Sequence, residues 1–259
     1  MIENKQRIAL GVEYIGTAYS GWQSQHFDQL PTIQDQVEKA IAKVANHPVQ
    51  VICAGRTDAG VHAKGQVVHF ETSAQRAEHN WILGINSNLP PDISVHWAKQ
   101  MPEDFHARFS AIARQYQYCI YNHPFRSALY YRRATWIYLP LDIHQMQKAT
   151  QYFIGEHDFT SFRAQYCQAK SPTRTIESMN IEQHDDLIIL TIKANAFLHH
   201  MVRNIVGVLL PIGRGEKNPE WVEDVINAHD RKAAGVTAPA DGLYLKRVFY
   251  PDKFNVPYR

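Results

Sequence analysis

A chain of 259 residues, 45% hydrophobic and 20% charged, can bury the core of one large or two medium domains and has an ordinary globular composition. It has no run of 18 apolar residues, so no membrane-spanning helix is expected, and its first residues lead into an alternating pattern, not a signal-peptide core. Three widely spaced cysteines, Cys53, Cys119 and Cys167, argue against a disulfide framework and a Cys-x-x-Cys zinc site, and point to a reducing, cytoplasmic setting.

In chain order, Ile8, Leu10, Val12 and Tyr14 share one face of a strand, and Gly16–Gln25 reads as a loop. Thr32, with Asp35 three residues on, predicts the start of a helix whose stripe is Ile33, Val37, Ile41 and Val44. Two β-branched runs, Val49–Cys53 and Gly65–Phe70, flank a turn bounded by Gly55 and Gly60. A helix over Ala74–Asn86 and a strand with Ile93, Val95 and Trp97 complete a β-α-β-β-α-β order. The pattern then begins again. A strand over Gln115–Tyr121 comes first, then an aromatic and basic excursion at 125–140 and a helix over Asp142–Phe153. A loop at 156–172 leads to a hairpin of Arg174–Gln183 with Leu187–Ala194. Helices over Phe197–Pro211 and Pro219–Ala228 and a strand over Gly242–Tyr250 close the chain. The expected fold is α+β, with two ferredoxin-like or RRM-like halves, antiparallel or mixed sheets, and a cleft between the halves. The expected domains are 1–103 and 104–259.

The net charge of +2 hides an uneven distribution. Residues 105–141, 159–176 and 187–215 hold eleven Lys and Arg and no acid, whereas the remaining 175 residues hold 16 basic and 25 acidic side chains. Ten aromatic residues are interleaved with Arg108, Arg114, Arg126, Arg132 and Arg133 in the first window, a composition suited to phosphate contact and base stacking, although many of these rings belong in a core. Asp58 is the only acid between Lys39 and Phe70, two residues from Arg56, so an ionised carboxylate at a loop tip is expected. The simple reading is an aspartate capping its own turn; the sharper one is a catalytic carboxylate on a rigid scaffold.

On the helix expected at 197–211, Leu198, Met201, Val202, Ile205 and Leu209 form the apolar stripe, with His200, Arg203 and Gly207 opposite. His62 and His69 fall on opposite faces of a strand, and His199 and His200 diverge by about 100° on a helix, so no metal site is expected. The chain has no phosphate-binding Gly-x-x-x-x-Gly-Lys-Ser/Thr loop and no Gly-x-Gly-x-x-Gly fingerprint. The residues by themselves fit an RNA-modifying enzyme and an RNA-binding module equally well.

The stretch Ala54-Gly-Arg-Thr-Asp-Ala-Gly-Val-His62 closely resembles the signature of the tRNA pseudouridine synthase A family. So do Asp104–Ser110, Arg114–Tyr118, Ala194–Gly207 and Gly242–Leu245, in that family's order. The resemblance implies isomerisation of uridine to pseudouridine at positions 38, 39 and 40 of the tRNA anticodon arm, by a homodimer needing no metal or cofactor. It implies that Asp58 is the catalytic aspartate, Tyr116 the ring that stacks on the target base, Arg203 the basic partner of the aspartate, and Leu243 an apolar wall. Arg56, Arg76, His106 and Arg108 are the residues implied in base flipping or tRNA contact. Gln115 and Gln117 depart from the basic residues expected beside the tyrosines.

Overall fold

The structure, a computed structural model, describes residues 5–23, 31–165 and 167–258. Ser24 and Gln25 of the first expected loop, and Tyr166 of the 156–172 loop, lie outside the described residues. The chain divides into two units, one running to Ile112 and resuming at Tyr244, the other spanning Ala113–Leu243.

The first unit is built on β1 (Gln6–Tyr14). Ile8, Leu10 and Val12 are buried, and so are Ala9 and Gly11 between them, so both faces of this strand are covered. Helix α1 (Ile33–Ala45) begins where the Thr32 hydroxyl accepts the Asp35 N–H at 3.2 Å, and it buries Ile33, Val37, Ala40 and Ile41. β2 (Ile52–Cys53) is shorter than expected, because the Val51 N–H is taken by the Glu38 carboxylate of α1 (2.9 Å) and not by a neighbouring strand. β3 (His62–Thr72) is the long partner. α2 (Glu78–Asn86) starts four residues later than Ala74, whose N–H goes to the Thr72 hydroxyl at 3.0 Å. β4 (Ile93–Met101) pairs with β1, and a register shift between Gly11 and Val12 breaks its alternation, leaving Trp97 half-buried and Ala98 buried. β1 is antiparallel to both neighbours, with Leu10 opposite Val68 on β3 and Ala98 on β4. β2 lies antiparallel on β3.

The second unit contains β5 (Ala113–Asn122), β6 (Thr135–Ile137), α3 (Ile143–Thr150), β7 (Gly155–Asp158), β8 (Thr173–His184), β9 (Leu187–Ala194), α4 (Met201–Gly213) and α5 (Trp221–Asn227). Its strand order is β5-β9-β8-β7, antiparallel throughout, with β6 added parallel to β5. β9 shows strict period-two burial, placing Ile188, Leu190 and Ile192 inward. β6 and β7 fall where an excursion and a loop were expected. Both are too short for alternation to register.

The last strand, β10 (Leu243–Phe249), lies parallel to β3, with Tyr244 opposite His62. The unit boundary differs from the expected division at 103/104. Phe105 is fully buried against Tyr250 (5.2 Å) and Phe254 (5.3 Å), and Ile112 donates to the Phe249 carbonyl at 2.8 Å, so residues 104–112 stay with the first unit. Each unit is α+β. Among the described residues no helix is long and apolar enough to cross a membrane.

Candidate active site

In the first unit, Asp58 is half-exposed on the turn between β2 and β3, next to buried Thr57 and two residues beyond exposed Arg56. A row of buried polar groups holds this turn from behind. Thr57 shares a 2.8 Å hydrogen bond with the Tyr14 hydroxyl, and its carbonyl accepts the Trp22 N–H at 3.0 Å. The fully buried Gln66 amide donates to the Gly55 carbonyl at 2.6 Å. His62, also fully buried, accepts the Gly16 N–H on Nδ1 at 3.0 Å. Gly21 has φ +95°, and a Cβ there would stand 2.7 Å from the Thr57 carbonyl oxygen and 3.0 Å from the Asp58 carbonyl carbon. Only glycine lets these two stretches of backbone meet.

Arg108 is exposed on the 104–112 segment of the same unit, 5.6 Å from the Phe109 ring, and His106 stacks on that ring at 4.4 Å. His106 Nδ1 accepts the Phe109 N–H at 3.1 Å. Burial, followed by the charges of Arg7 and Arg108, lowers the His106 pKa. Behind it, buried His69 accepts the Ala107 N–H on Nδ1 at 3.1 Å. Its pKa is pushed down to about 4, first by burial, then by His106 and Arg7. Burial pushes the Cys53 thiol up to about 12 although Arg56 and Arg108 both act to lower it. These two arginines therefore share an electrostatic neighbourhood. Arg76 is exposed ahead of α2 and donates to the Gln75 carbonyl at 2.9 Å.

In the second unit, Tyr116 lies on β5 opposite Ile192, half-exposed, with its ring edge-on to Phe197 at 4.9 Å. Two residues along the strand, Tyr118 is fully buried and donates to the Pro239 carbonyl at 2.8 Å. Burial raises its pKa. Leu243 is buried at the start of β10. Arg203 is the one half-open side chain in the first ten residues of α4, and its Nε donates to the Ala238 carbonyl at 2.8 Å.

α4 corrects three expectations. It begins at Met201, not Phe197. His200 precedes it with φ 62°, and the His199 and His200 rings lie 4.0 Å apart, so helical divergence does not apply to them. The helix also runs past Pro211 to Gly213 and is buried almost all round, including Gly207, which was expected opposite the apolar stripe. A Cβ on Gly207 would overlap the Val236 carbonyl oxygen. His62 and His69 both act as buried acceptors for backbone N–H groups.

Gln66, Tyr14 and His62, which support the turn, and Asn204 and Arg231 beside α4 were not expected from the sequence to have these roles. Gln66 and Asn204 each left a trace, an amide directly followed by two β-branched residues, Val67-Val68 and Ile205-Val206.

A family model described as tRNA pseudouridine synthase matches residues 11–110 and 149–251. A protein called tRNA pseudouridine synthase A from Pseudomonas aeruginosa is 56% identical over 253 residues, covering 98% of this chain and 88% of its own. Proteins with the same name from Coxiella burnetii (strain Dugway 5J108-111) and Vibrio parahaemolyticus are 55% and 53% identical, each over 97% of this chain and 95% and 94% of theirs.

Proposed function

The chain belongs to the tRNA pseudouridine synthase family, and from that premise we propose that it isomerises uridine to pseudouridine at positions 38, 39 and 40 of the tRNA anticodon stem-loop. One observation supports this most directly: a half-exposed carboxylate, Asp58, on a turn fixed by Tyr14, Gln66 and His62 inside the matched segment 11–110.

The reaction breaks an N-glycosidic bond, turns the uracil, and rejoins it through carbon. Substrate and product contain the same atoms, so the balance needs no electron carrier or group donor. A carboxylate can serve by adding to the ribose or by taking a proton to leave a glycal, and either role requires it to be charged and aimed. In this proposal Asp58 is the catalytic residue and Arg203 its basic partner. Tyr116 stacks on the target base, and Leu243 walls the pocket. Arg56 and Arg108 engage the tRNA backbone or the space left by the flipped base, with His106 and Arg76 as further contacts. Extruding a base costs a few kcal/mol, and stacking returns about 1–3 kcal/mol per base. The pairing of Asp58 with Arg203 rests on the resemblance. The finer fold reading, two ferredoxin-like halves, rests on the repeated element order and on the order β4-β1-β3 with β2 on β3 in the first unit. A homodimer acting in the cytoplasm completes the proposal.

The test is tritium release from tRNA carrying 5-tritiated uridine, together with pseudouridine mapping in cells that lack the protein. Loss of pseudouridine at 38–40 is expected. An unchanged anticodon arm would leave the chain as a tRNA-binding module. Tyr116→Phe is expected to keep most of the base affinity that Tyr116→Ala loses.

A further inference from the structure

Beside α4 is a polar clasp, half-buried at Arg231 and Thr237 and fully buried at Asn204, to which the reaction above assigns no role. Arg231 opens a short 3-10 turn (Arg231–Ala234) that follows Asp230, whose N–H is held by the buried Ser161 hydroxyl at 3.0 Å. The Arg231 guanidinium spans three acceptors: the Gly235 carbonyl at 2.8 Å, the Thr237 hydroxyl at 2.7 Å and the Asn204 side-chain oxygen at 2.9 Å. The Thr237 hydroxyl in turn donates to that same Asn204 oxygen at 2.7 Å. Asn204 is fully buried on α4, and its amide N–H donates to the Phe162 carbonyl at 2.8 Å.

The clasp fixes the path of residues 235–238 across the helix. Gly235 takes φ +67°, Val236 is left 83% exposed at the tip, and the Val236 carbonyl fills the space that Gly207 leaves open. The chain then returns to the residue beside Asn204. Ala238 donates its N–H to the Arg203 carbonyl at 3.1 Å, and its carbonyl accepts Arg203 Nε at 2.8 Å. With Nε occupied by a fixed carbonyl, the plane of the Arg203 guanidinium is set by where Ala238 sits. Ala238 sits where Thr237 places it, and Thr237 is held by Arg231 and Asn204.

We propose that Arg231, acting with Asn204 through Thr237 and Ala238, is a positioning residue for Arg203: it aims the Arg203 guanidinium without touching substrate. The proposal rests on the reading of Arg203 as the basic partner of the catalytic carboxylate. Gly235 and Val236 are exposed, so without the clasp little would hold the approach to Ala238, and misplacement by about 1 Å costs on the order of 100-fold in a step that depends on alignment.

The full chain is assayed by single-turnover tritium release with enzyme in excess, alongside tRNA affinity by filter binding and thermal unfolding. Arg231→Ala is expected to slow the single-turnover step by about 10–100-fold with tRNA affinity unchanged. Thr237→Val, a smaller change should Arg231→Ala fail to fold, is expected to shift the rate in the same direction, and Thr237→Ser to recover it. Arg203→Lys with Arg231→Ala should be no slower than Arg203→Lys alone, because both act on one guanidinium. Additive losses in the double variant, a loss confined to affinity, or an unchanged rate in Arg231→Ala and Thr237→Val would each overturn the inference while the wild type remains active. A wild type that releases no tritium would overturn the functional reading and this inference with it.

Discussion

The Asp58 turn and the start of α4 each present one half-exposed charged side chain, and they hold it by opposite means. Behind Asp58 the supports are buried polar side chains: Gln66 and His62 bond the backbone of Gly55 and Gly16, and Tyr14 bonds the Thr57 hydroxyl. Around Arg203 the support is backbone reaching across a helix, with Ala238 bonded twice to Arg203 and the Val236 carbonyl seated over Gly207. A turn has few internal hydrogen bonds, so its shape must come from polar groups buried beneath it. A helix is already rigid, so fixing a side chain on it needs a neighbouring segment that is itself held in place, here by Arg231 and Asn204. The two regions should therefore answer to different substitutions, the turn to loss of the Gln66 amide and the α4 side to a Cβ at Gly207 that displaces the segment held by Arg231 and Asn204.

The largest expected effect removes what the turn presents. Asp58→Ala should lower pseudouridine formation by at least about 100-fold, within the range for a positioned acid–base group, while filter binding of tRNA is retained. Activity near wild type would end the comparison, since the turn would then have nothing to position. Next is the helix. Gly207→Ala puts a methyl group into the Val236 carbonyl and should cost about 3 kcal/mol in urea unfolding, with Arg203 displaced along with the loop. A neutral result would show that the 235–238 segment gives way freely. Gln66→Leu, close in size but without the amide, leaves the Gly55 carbonyl unpaired and should cost about 2 kcal/mol. A silent Gln66→Leu would move the support of the turn onto Tyr14 and His62 alone.

The smallest effect is a pH dependence confined to the unit that bears the turn. His69 has its pKa lowered to about 4 by burial, from an ordinary value of 6.5. The unfolded chain therefore binds the proton more readily, and stability is fully present above pH 6.5 and is lost as pH falls toward 4. The expected loss between pH 7 and pH 5 is about 1–2 kcal/mol, read from urea midpoints, and His69→Gln should flatten it. An equal slope in that variant would assign the dependence to other groups.

Much of this was legible in local patterns. The Thr32 cap, the hairpin arm at Leu187–Ala194 and the glycine-bounded turn at Asp58 depend on residues a few positions apart, and each stands where it was expected. The family signature likewise reads directly from residues 54–62. Other features left little trace. β6 and β7 each pair along a longer neighbouring strand, and three or four residues have no periodicity of their own. The His199–His200 pair was read as helical because the apolar stripe continues through Leu198, yet His200 turns into the left-handed region and ends the pattern.

The sequence by itself determined the α+β element order, the isolated carboxylate at Asp58 and the family to which the chain belongs, because capping, periodicity and a contiguous motif are local properties. Only the tertiary structure decided that β10 lies parallel to β3, that Gln66 braces Gly55 across 11 residues, and that Arg231 reaches Asn204 across 27. These contacts follow from where the chain returns in space, and a buried polar atom takes whatever partner that return brings within reach.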